Sequence, residues 1–422
     1  MASEAPATTR QYQFVVFGAS GFTGRYVVEE LARVMIEGET KTPKLRWAVA
    51  GRSQVKLEEI VARLARKIGK PQLKSEIGIL ICDVDDYATL TRMCKKAAIV
   101  LNCVGPYTLY GEPVIKACIE NGANYLDLCG EPQFLEEMYL KYDKKAAEKG
   151  VYIVGSAGFT SIVAELGVLF TKSKMEGTLT AVESFFYNVP ESVIYHNGSW
   201  KSFVHGIGYQ NSLKKIKNQM SHKPLPVFCK TLKRDPGLYA IPLLGADTSV
   251  VTRTHRYLYE HLQESPVYYS ANVAVSSFVS AVLLTLAVFL MSLLATFSWG
   301  RNILIKYPRF FSCGTFSAEG PTQRQIDETS FKIKFIGEGC SKGRDGQKDI
   351  PDLKIRTEVS GPEAAYVTTP IVIVQAAMTI FKEPGALPKG GGVFSPGAAF
   401  SKTRIIDRLR KAGLHFDIKI KN

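Results

Sequence analysis

The chain has 422 residues, of which 46% are apolar and 22% charged, a balance typical of a folded protein and unlike that of a disordered one. This length is sufficient for two domains, each with its own core. The net charge of +14 would suit nucleic acid, a membrane surface or an anionic cofactor. The sequence has no basic helix interleaved with aromatic residues, no zinc-finger spacing and no RNP-like strand. Nucleic acid is therefore not expected as a partner.

Short apolar runs alternate with helical patterns through the first part of the chain. Residues 1–10 are polar and are predicted to be a flexible N-terminus, and residues 11–160 are predicted to form a dinucleotide-binding domain. Its predicted strands are Gln13–Phe17, Leu45–Ala50, Ile77–Cys82, Ile99–Val104, Asn124–Leu128 and Tyr152–Gly155. Because helices separate these strands, the fold class is predicted to be α/β, with a Rossmann-type doubly wound parallel sheet.

After about residue 170, Tyr, Phe, Val and Thr become more frequent, which favours antiparallel strands. Strands are predicted at Thr178–Asn188, Ser249–Thr254 and Phe331–Phe335. Residues 161–389 are therefore predicted to form a second α+β domain, for substrate binding or dimer formation, with a mostly antiparallel sheet. The segment 390–422 is glycine-rich, then becomes a basic helix and a short strand, and is expected to pack back near the first domain.

Residues 266–300 contain no charged residue, and Phe278–Phe297 is a candidate apolar helix. Twenty residues cover roughly 30 Å, enough to span a bilayer. A single span would separate parts of the second domain, so a hairpin in one leaflet or a helix in the membrane interface is expected instead. Arg301, Lys306 and Arg309 follow closely, as for contact with anionic headgroups. A helix buried in the protein or in a dimer interface is the alternative.

The eight cysteines form no Cys-x-x-Cys pair and lie mostly in apolar runs, which indicates a reducing compartment. The segment Met1–Arg10 lacks the apolar stretch of a signal peptide, so the first domain is expected in the cytosol. His196 and His205 have no metal-like partners around them, and no metal site is predicted.

A glycine-rich turn directly follows the first predicted strand and opens a helix. Its first glycine allows the sharp turn, its second lets the backbone approach a pyrophosphate, and its third allows close packing of helix and strand. Free N–H groups at the helix start would then bind the phosphates. The candidate cofactor-binding residues in this turn are Gly18, Ser20, Gly21, Phe22, Thr23 and Gly24.

The end of the second strand indicates which dinucleotide binds. Arg52 and Ser53 stand where NAD enzymes usually carry an acid, and an arginine accommodates the 2′-phosphate of NADP. NADPH is therefore the expected cofactor, with NAD left open. A solvated arginine beside a helix-start serine is the alternative interpretation. Asp83, after the third strand, is expected to contact adenine edges or to cap a helix.

The exit of the fourth strand carries Asn102, Gly105 and Pro106 at the edge of the sheet where ligands of open α/β folds bind. Close approach of this backbone to the nicotinamide ribose is one interpretation. A loop shaped by glycine and proline, with no ligand contact, is the other.

Several motifs together resemble those of the saccharopine dehydrogenase-like oxidoreductases. They are the turn at residues 18–24, Ala50–Ser53, Asn102–Tyr107, Tyr110–Val114, Gly130–Glu131, Gly361–Ala364 and Gly391–Ala398. The resemblance covers essentially the whole chain. It implies an NAD(P)-dependent oxidoreductase with a second α/β domain over the nicotinamide and, for animal members, a location on lipid droplets or the cytosolic face of membranes.

One position departs from that family. Where its members tend to read Gly-Phe-Asp-Ser-Ile-Pro, this chain has Thr160 in place of the aspartate. If the aspartate holds substrate or relays a proton, activity is in doubt. If it only caps the next helix, Thr160 replaces it adequately.

Hydride transfer requires a proton donor near the cofactor. No tyrosine is followed four residues later by lysine, so the mechanism of the short-chain dehydrogenases is not expected. The side chains that strand ends would bring to the pocket include Tyr107, Tyr110, Glu131 and Ser161. The sequence does not rank them, and each has a structural role as its alternative.

Two functions remain open. The first is an NADPH-dependent oxidoreductase that acts on a lipid or other hydrophobic substrate at a lipid-droplet or membrane surface. The second is a catalytically weak or inactive dinucleotide-binding protein that serves as a lipid-droplet interaction protein. Both share the fold, and either is compatible with a homodimer.

Overall fold

The computed structural model describes residues 10–38, 45–190, 193–219, 225, 239–243, 245–275, 277–346 and 348–421. The predicted flexible N-terminus therefore lies, except for residue 10, outside the described residues. The strands are Tyr12–Phe17 (β1), Trp47–Gly51 (β2), Gly78–Ile81 (β3), Ala97–Asn102 (β4), Asn124–Asp127 (β5), Tyr152–Val154 (β6), Thr178–Val189 (β7), Tyr195–His196 (β8), Tyr239–Pro242 (β9), Tyr268–Val275 (β10), Phe316–Ser317 (β11), Ser330–Cys340 (β12), Leu353–Pro362 (β13), Gly392–Phe394 (β14) and His415–Lys421 (β15).

The helices are also numbered along the chain. They are Phe22–Glu37 (α1), Gln54–Ile68 (α2), Leu73–Glu76 (α3), Tyr87–Lys96 (α4), Tyr107–Asn121 (α5), Pro132–Glu148 (α6), Phe159–Lys174 (α7), Asn197–Gly208 (α8), Gln210–Gln219 (α9), Asp247–Leu262 (α10), Phe278–Ala295 (α11), Ser298–Lys306 (α12), Pro308–Phe311 (α13), Gln323–Asp327 (α14), Thr369–Lys382 (α15), Pro396–Phe400 (α16) and Ile405–Lys411 (α17). A π-helical turn, Ala364–Thr368, leads into α15, and a 3-10 turn, Pro384–Ala386, follows it.

The first sheet has seven parallel strands in the order β14-β6-β5-β4-β1-β2-β3. Its inner strand β1 is mostly apolar and buried, as expected for a parallel sheet with helices on both faces. The chain runs from β1 toward one edge through β2 and β3, then returns to β4 on the other side of β1. Ligands bind at such a reversal, beyond the carboxyl ends of the strands. The predicted doubly wound sheet is confirmed.

The second sheet has six strands in the order β15-β13-β12-β7-β10-β9. Only β7 and β10 pair in parallel, and the other four pairs are antiparallel, so the predicted mostly antiparallel sheet is confirmed. Two of its long strands, β7 and β12, include the predicted strands at 178–188 and 331–335.

The strand predicted at Ser249–Thr254 is wrong, because these residues lie inside helix α10. The β-branched residues of this segment suggested a strand. Val250, Val251, Thr254 and Leu258 are nevertheless buried at helical spacing, so one face of a helix, rather than alternate strand residues, contacts the core.

The uncharged segment 266–300 divides into strand β10 and helix α11, so the predicted hairpin is wrong. Residues 268–275 reach the second sheet and pair with β7 and β9, which leaves only the second half to form a helix. Helix α11 begins at Phe278 as predicted and ends at Ala295, because Phe297 caps the next helix α12. The alternative of a helix buried within the protein is also wrong, since only 6% of α11 is buried.

The segment after residue 390 contributes one strand to each of the two large sheets, and none to the small sheet of β8 and β11. Strand β14 lies beside β6 at the edge of the first sheet, and β15 lies beside β13 at the edge of the second. Helix α17 and the following strand match the predicted basic helix and short strand.

Two buried helices lie between the sheets. Helix α15 packs against α1, β4 and β5, whereas α7 packs against β7, β12 and β13, and the two helices contact each other. Their side chains join both sheets in one apolar core, in which Phe14 of β1 and Phe335 of β12 are fully buried. Gly167 of α7 permits this approach, because a Cβ there would lie 2.1 Å from the Phe335 ring.

Candidate active site

The glycine turn after β1 has the geometry of a phosphate-binding turn. Gly18 has φ +83°, a conformation that favours glycine. A Cβ on Gly24 would lie 2.1 Å from the carbonyl oxygen of Gly18, and one on Gly21 would lie 3.1 Å from the same atom. Among the described residues no side chain caps the start of α1. Its first N–H groups therefore lack a side-chain cap, and the cradle fits a dinucleotide pyrophosphate.

The other candidate residues of this turn lie around that cradle. Ser20 lies beside the end of β2, since a Cβ on Gly51 would be 3.8 Å from its hydroxyl oxygen. Phe22 and Thr23, half-buried, form the first turn of α1. The ring of Phe22 faces the second domain, where it stacks on His196 with the ring centroids 4.3 Å apart and the planes 8° from parallel.

The residues after β2 and β3 are placed at the same edge of the sheet. Arg52 is exposed, and Ser53 caps α2 by accepting a hydrogen bond from the Lys56 N–H at 3.4 Å. Asp83 accepts a bond from the Asp85 N–H at 3.2 Å, but the residue that caps α4 is Asp86. The helix-cap alternative therefore holds for Ser53 and is wrong for Asp83.

A buried hydrogen-bond network joins the ends of β4, β5 and β6. The side-chain amide of Asn102 donates to the Tyr125 hydroxyl at 3.1 Å, and Tyr125 donates to Asp127 at 2.9 Å. The other carboxylate oxygen of Asp127 accepts from the N–H groups of Cys129 and Ser156. Burial raises the pKa of Asp127 to about 6, although these hydrogen bonds oppose the rise. The network fixes the loops at the carboxyl edge.

Sequence reasoning did not select Asp127. Its position at the end of a buried strand, beside the loop of residues 128–131, was the available signal.

The loop after β4 is held by a carboxylate from the loop after β5. Glu131 accepts hydrogen bonds from the N–H groups of Tyr107 and Thr108 at 2.9 and 2.8 Å and from the Thr108 hydroxyl. It is fully buried and satisfies the N-terminus of α5. This cap explains why α5 begins at Tyr107, six residues before the predicted start at Pro113.

The predicted tyrosines differ in their surroundings. Tyr107 is buried, donates from its hydroxyl to the Asn102 carbonyl at 3.0 Å and accepts from the Leu128 N–H at 3.2 Å. Burial raises its pKa well above the usual range. Tyr110 is half-buried, and no hydrogen bond joins its side chain to another described residue. The Tyr107 hydroxyl thus has a structural role, whereas the Tyr110 hydroxyl is available to bind a ligand.

The turn of Gly105 and Pro106 lies under helix α8 of the second domain. A Cβ on Gly105 would be 3.7 Å from the hydroxyl oxygen of Ser202. Pro106 is buried and caps α5 through its extended backbone conformation. The second domain therefore covers the edge of the sheet where a nicotinamide would lie.

The start of α7 carries Thr160 and Ser161 next to a buried acid from α10. The Ser161 hydroxyl donates to Asp247 at 3.1 Å, and Thr160 also bonds this carboxyl. Asp247 is 4% exposed, and burial raises its pKa to about 6 against the effect of these bonds. A carboxyl group thus lies where Thr160 replaces the aspartate of the resembling family. Sequence reasoning missed it, because its helix was expected to be a strand.

A small cavity adjoins this carboxyl, between the start of α7 and the face of the second sheet. Asn272 of β10 lines it, together with Ser184 and Tyr269, whose hydroxyl oxygens are 2.7 Å apart. Phe159 and Phe186 supply apolar walls. The cavity therefore combines an acid and polar groups with an apolar lining, at a size close to that of one water molecule.

The fold and the turn together define the class of this protein. A doubly wound parallel sheet with an uncapped glycine turn at its point of reversal is a dinucleotide-binding Rossmann domain. The family model for the saccharopine dehydrogenase NADP binding domain matches residues 14–154, which contain β1 to β6.

Relatives extend the match to the second domain. The human saccharopine dehydrogenase-like oxidoreductase is 54% identical over 419 residues, 97% of each chain. The lipid droplet localized protein of Caenorhabditis elegans is 34% identical over 427 residues, 97% of this chain and 98% of the relative. The solved saccharopine dehydrogenase (L-Glu forming) of Saccharomyces cerevisiae, 13% identical, shares the fold with a TM-score of 0.51 over 96% of this chain and 99% of that one.

The chain belongs to the saccharopine dehydrogenase-like oxidoreductases. Its first domain is an NADP-binding domain, so the predicted cofactor and family are confirmed.

Proposed function

We propose that the protein is an NADP(H)-dependent oxidoreductase that transfers a hydride to or from a hydrophobic substrate at a lipid-droplet or membrane surface. The observation that carries this proposal is helix α11, an apolar helix that projects from the domain covering the cofactor site. Its mean hydropathy is 2.6, and only 6% of it is buried. The name of the worm relative, a lipid droplet localized protein, supports the same location.

One face of α11 is apolar and exposed and suits lipid, whereas the opposite face contacts α8 and β9. Phe278, Leu283, Leu286 and Phe289 are each more than half exposed. Its hydroxyl groups bond to the helix itself, as when Thr285 donates to the Ala281 carbonyl at 2.7 Å. Internal hydrogen bonds of this kind are what a helix requires where no water is present.

The two ends of α11 favour insertion into one leaflet. Eighteen residues span about 27 Å, slightly less than the thickness of a bilayer core. The preceding strand β10 and the following helix α12 both belong to the second domain, so the helix returns to the protein on the side from which it left. An orientation along or within one leaflet satisfies both conditions.

The basic residues after α11 have separate roles. Arg301 donates to the carbonyl oxygens of Ala295 and Thr296 at 2.9 and 3.2 Å and so caps α11. This differs from the headgroup contact expected from the sequence. Lys306 and Arg309 are exposed near Phe310, which is 79% exposed, and are the residues we assign to anionic headgroups.

The cofactor and the side chains of the protein have different roles in the proposed reaction. NADPH supplies the hydride when it is bound. Asp247 and Ser161 are our candidates for holding and moving the proton, because a carboxyl whose pKa lies near 6 exchanges protons close to neutral pH. Phe159 and Phe186 provide apolar surface beside this carboxyl. Tyr107 and Glu131 instead hold the loops, and Tyr110 remains a candidate at the edge.

NADPH oxidation with vesicles of total membrane lipid extract tests the proposal. We expect the parent chain to oxidise NADPH, and a Leu284→Asp, Leu290→Asp variant to lose at least tenfold in rate because it no longer reaches the substrate. Dispersing the same extract in detergent should restore the variant. Leu140→Asp, on the exposed face of α6, is the matched control and should behave as the parent.

The second candidate function is a dinucleotide-binding protein without turnover. Thr160 favours it if the Asp247 carboxyl beside it does not take the role of the aspartate that members of the family tend to carry at this position. NADPH binding by the parent without oxidation, in vesicles and in detergent alike, would establish this alternative and overturn our first proposal.

A further inference from the structure

The cradle for the dinucleotide phosphates is faced by basic and hydrogen-bonding side chains that the first domain alone does not supply. His196 and Lys201 lie at the start of α8 in the second domain, and Arg25 lies in the first turns of α1. We name these three residues the basic cover. Arg25 and His196 contact the ring of Phe22, the residue that follows the second glycine of the turn, and Lys201 lies five residues after His196.

The stack of His196 on Phe22 fixes the basic cover against the turn. The His196 N–H also donates to the Tyr366 hydroxyl at 2.7 Å, and Tyr366 in turn contacts Phe22 edge-on at 5.0 Å. A Cβ on Gly320 would lie 2.5 Å from the same ring. Phe22 is thus enclosed by the second domain, and the start of α8 has a defined place beside the phosphate cradle.

The ring of His196 has one nitrogen committed to the protein and one available. Its Nδ1 accepts a hydrogen bond from the Gly198 N–H at 3.1 Å. The neutral ring therefore carries its proton on Nε2, which has no hydrogen-bond partner among the described residues. Nε2 is an N–H donor of the kind that binds a phosphate oxygen.

Arg25 also has one donor, its Nε atom, without a hydrogen-bond partner among the described residues. Its guanidinium lies 4.1 Å from the centroid of Phe22, and one terminal nitrogen donates to the Tyr26 hydroxyl at 3.1 Å. The Nε atom is buried without a hydrogen bond, and within the described part of the chain no carboxylate pairs with this arginine. Buried donors of this kind call for a ligand or water to satisfy them.

The electrostatic surroundings point to an anion. Burial lowers the pKa of His196, the positive charges of Arg25 and Lys201 lower it further, and no acid among the described residues opposes them. Two positive charges with no paired carboxylate among the described residues give this place a positive potential, which favours binding of an anion.

We propose that His196 and Lys201 of the second domain, together with Arg25 of α1, hold the pyrophosphate of NADP(H) at the glycine turn, so that the second domain completes the dinucleotide site. This inference rests on binding of NADP(H) at the glycine turn, and it does not depend on the identity of the substrate. The inference assigns different roles to the basic cover and to Arg52. The basic cover recognises the pyrophosphate common to NADPH and NADH, whereas Arg52 at the end of β2 discriminates between them.

Calorimetric titration of the full chain in detergent with NADPH, NADH and adenosine 2′-phosphate tests the inference. The variants are His196→Asn, whose amide oxygen still caps α8, and Lys201→Ala. We expect about a tenfold rise in Kd for both dinucleotides with His196→Asn, and a several-fold rise with Lys201→Ala. The ratio of the NADPH and NADH constants should not change, whereas Arg52→Glu should change it.

Two controls isolate the pyrophosphate. Adenosine 2′-phosphate lacks it, so its Kd should stay within twofold in both variants. Lys214→Ala removes an equal charge from the next helix, α9, and should bind NADPH as the parent does.

Parent-like NADPH binding by both variants would overturn the inference, as would an equal loss of adenosine 2′-phosphate binding. A parent chain that binds no dinucleotide would overturn the cofactor site as well. Absence of turnover in the lipid assay leaves these binding constants unaffected, so the two proposals fail by different measurements.

Discussion

Two helical segments of the described chain are long and apolar enough to cross a membrane, and they have opposite surroundings. Helix α11 is 6% buried, whereas Ala364–Lys382, the π-helical turn with α15, is 78% buried. Their mean hydropathies are 2.6 and 1.6. An apolar composition therefore predicts that a helix lies in apolar surroundings, but it does not predict whether protein or lipid provides them.

What distinguishes the two helices is the chain around them. Helix α15 lies between the sheets, where α1, α7, β4 and β5 surround it. Helix α11 connects an inner strand of the second sheet with α12 and contacts the rest of the protein mainly near its ends. The burial of α15 therefore contributes to the free energy of unfolding, whereas α11 is the helix that we propose to contact lipid.

A charge in each helix gives the largest expected contrast. Ala376→Asp in α15 places a carboxylate at a fully buried position, at a cost comparable with the whole free energy of unfolding, about 5–15 kcal/mol. We expect no folded protein, measured by circular dichroism and protease resistance in detergent. Leu286→Asp in α11, 53% exposed, should keep the parent's melting temperature within about 2 °C. Equal effects of the two substitutions would remove the distinction.

Lipid binding gives the second contrast. Aspartate in a membrane helix costs roughly 2.5–3.5 kcal/mol. Leu284→Asp with Leu290→Asp should therefore move the protein from floating vesicles to the soluble fraction in a density gradient, with unchanged NADPH binding. Leu140→Asp on α6 is the matched control and should float. Continued flotation of the double variant would show that α11 is not the lipid-binding element.

The parent chain already has a buried carboxyl group on α7, that of Glu165. Burial raises the pKa of Glu165 to about 7, above its ordinary value of 4.5. The folded state therefore holds this proton more tightly, and the stability it provides is complete below about pH 4.5 and is lost as the pH rises through 7. Burial also raises the pKa of Asp127 and of Asp247, so the stability that these two groups contribute is likewise lost as the pH rises.

Glu165→Gln should weaken that pH dependence by on the order of 2–3 kcal/mol between pH 4.5 and 7.5. The glutamine retains an acceptor for the Gly397 N–H, which bonds Glu165 at 2.7 Å. Melting temperatures of parent and variant across this pH range provide the measurement. Buried His255, whose pKa burial lowers, acts in the opposite direction in both proteins, so the comparison between them carries the sign. A melting temperature of the variant that falls relative to that of the parent as the pH rises from 5 to 7 would contradict it.

The sequence predicted those features that depend on local periodicity and spacing. Alternating apolar runs identified β1 to β6, and three glycines identified the turn at residues 18–24. The helix of residues 247–262 was missed because β-branched residues outweighed its helical spacing. Asp247 was missed with it, since its contact with Ser161 joins positions 86 residues apart. Neither this pairing nor the stack of His196 on Phe22 has a local signature.

The pairing of β14 with β6 and of β15 with β13 has a consequence for the order in which the protein is made. Both sheets receive an edge strand from residues 392–421, long after α11 has been synthesised. Since chains are made at about 5–20 residues per second, α11 exists for several seconds before either sheet is complete. A lipid surface or a chaperone that captures α11 during this interval would act on an unfinished protein, and the final strands would then close a molecule already attached to it.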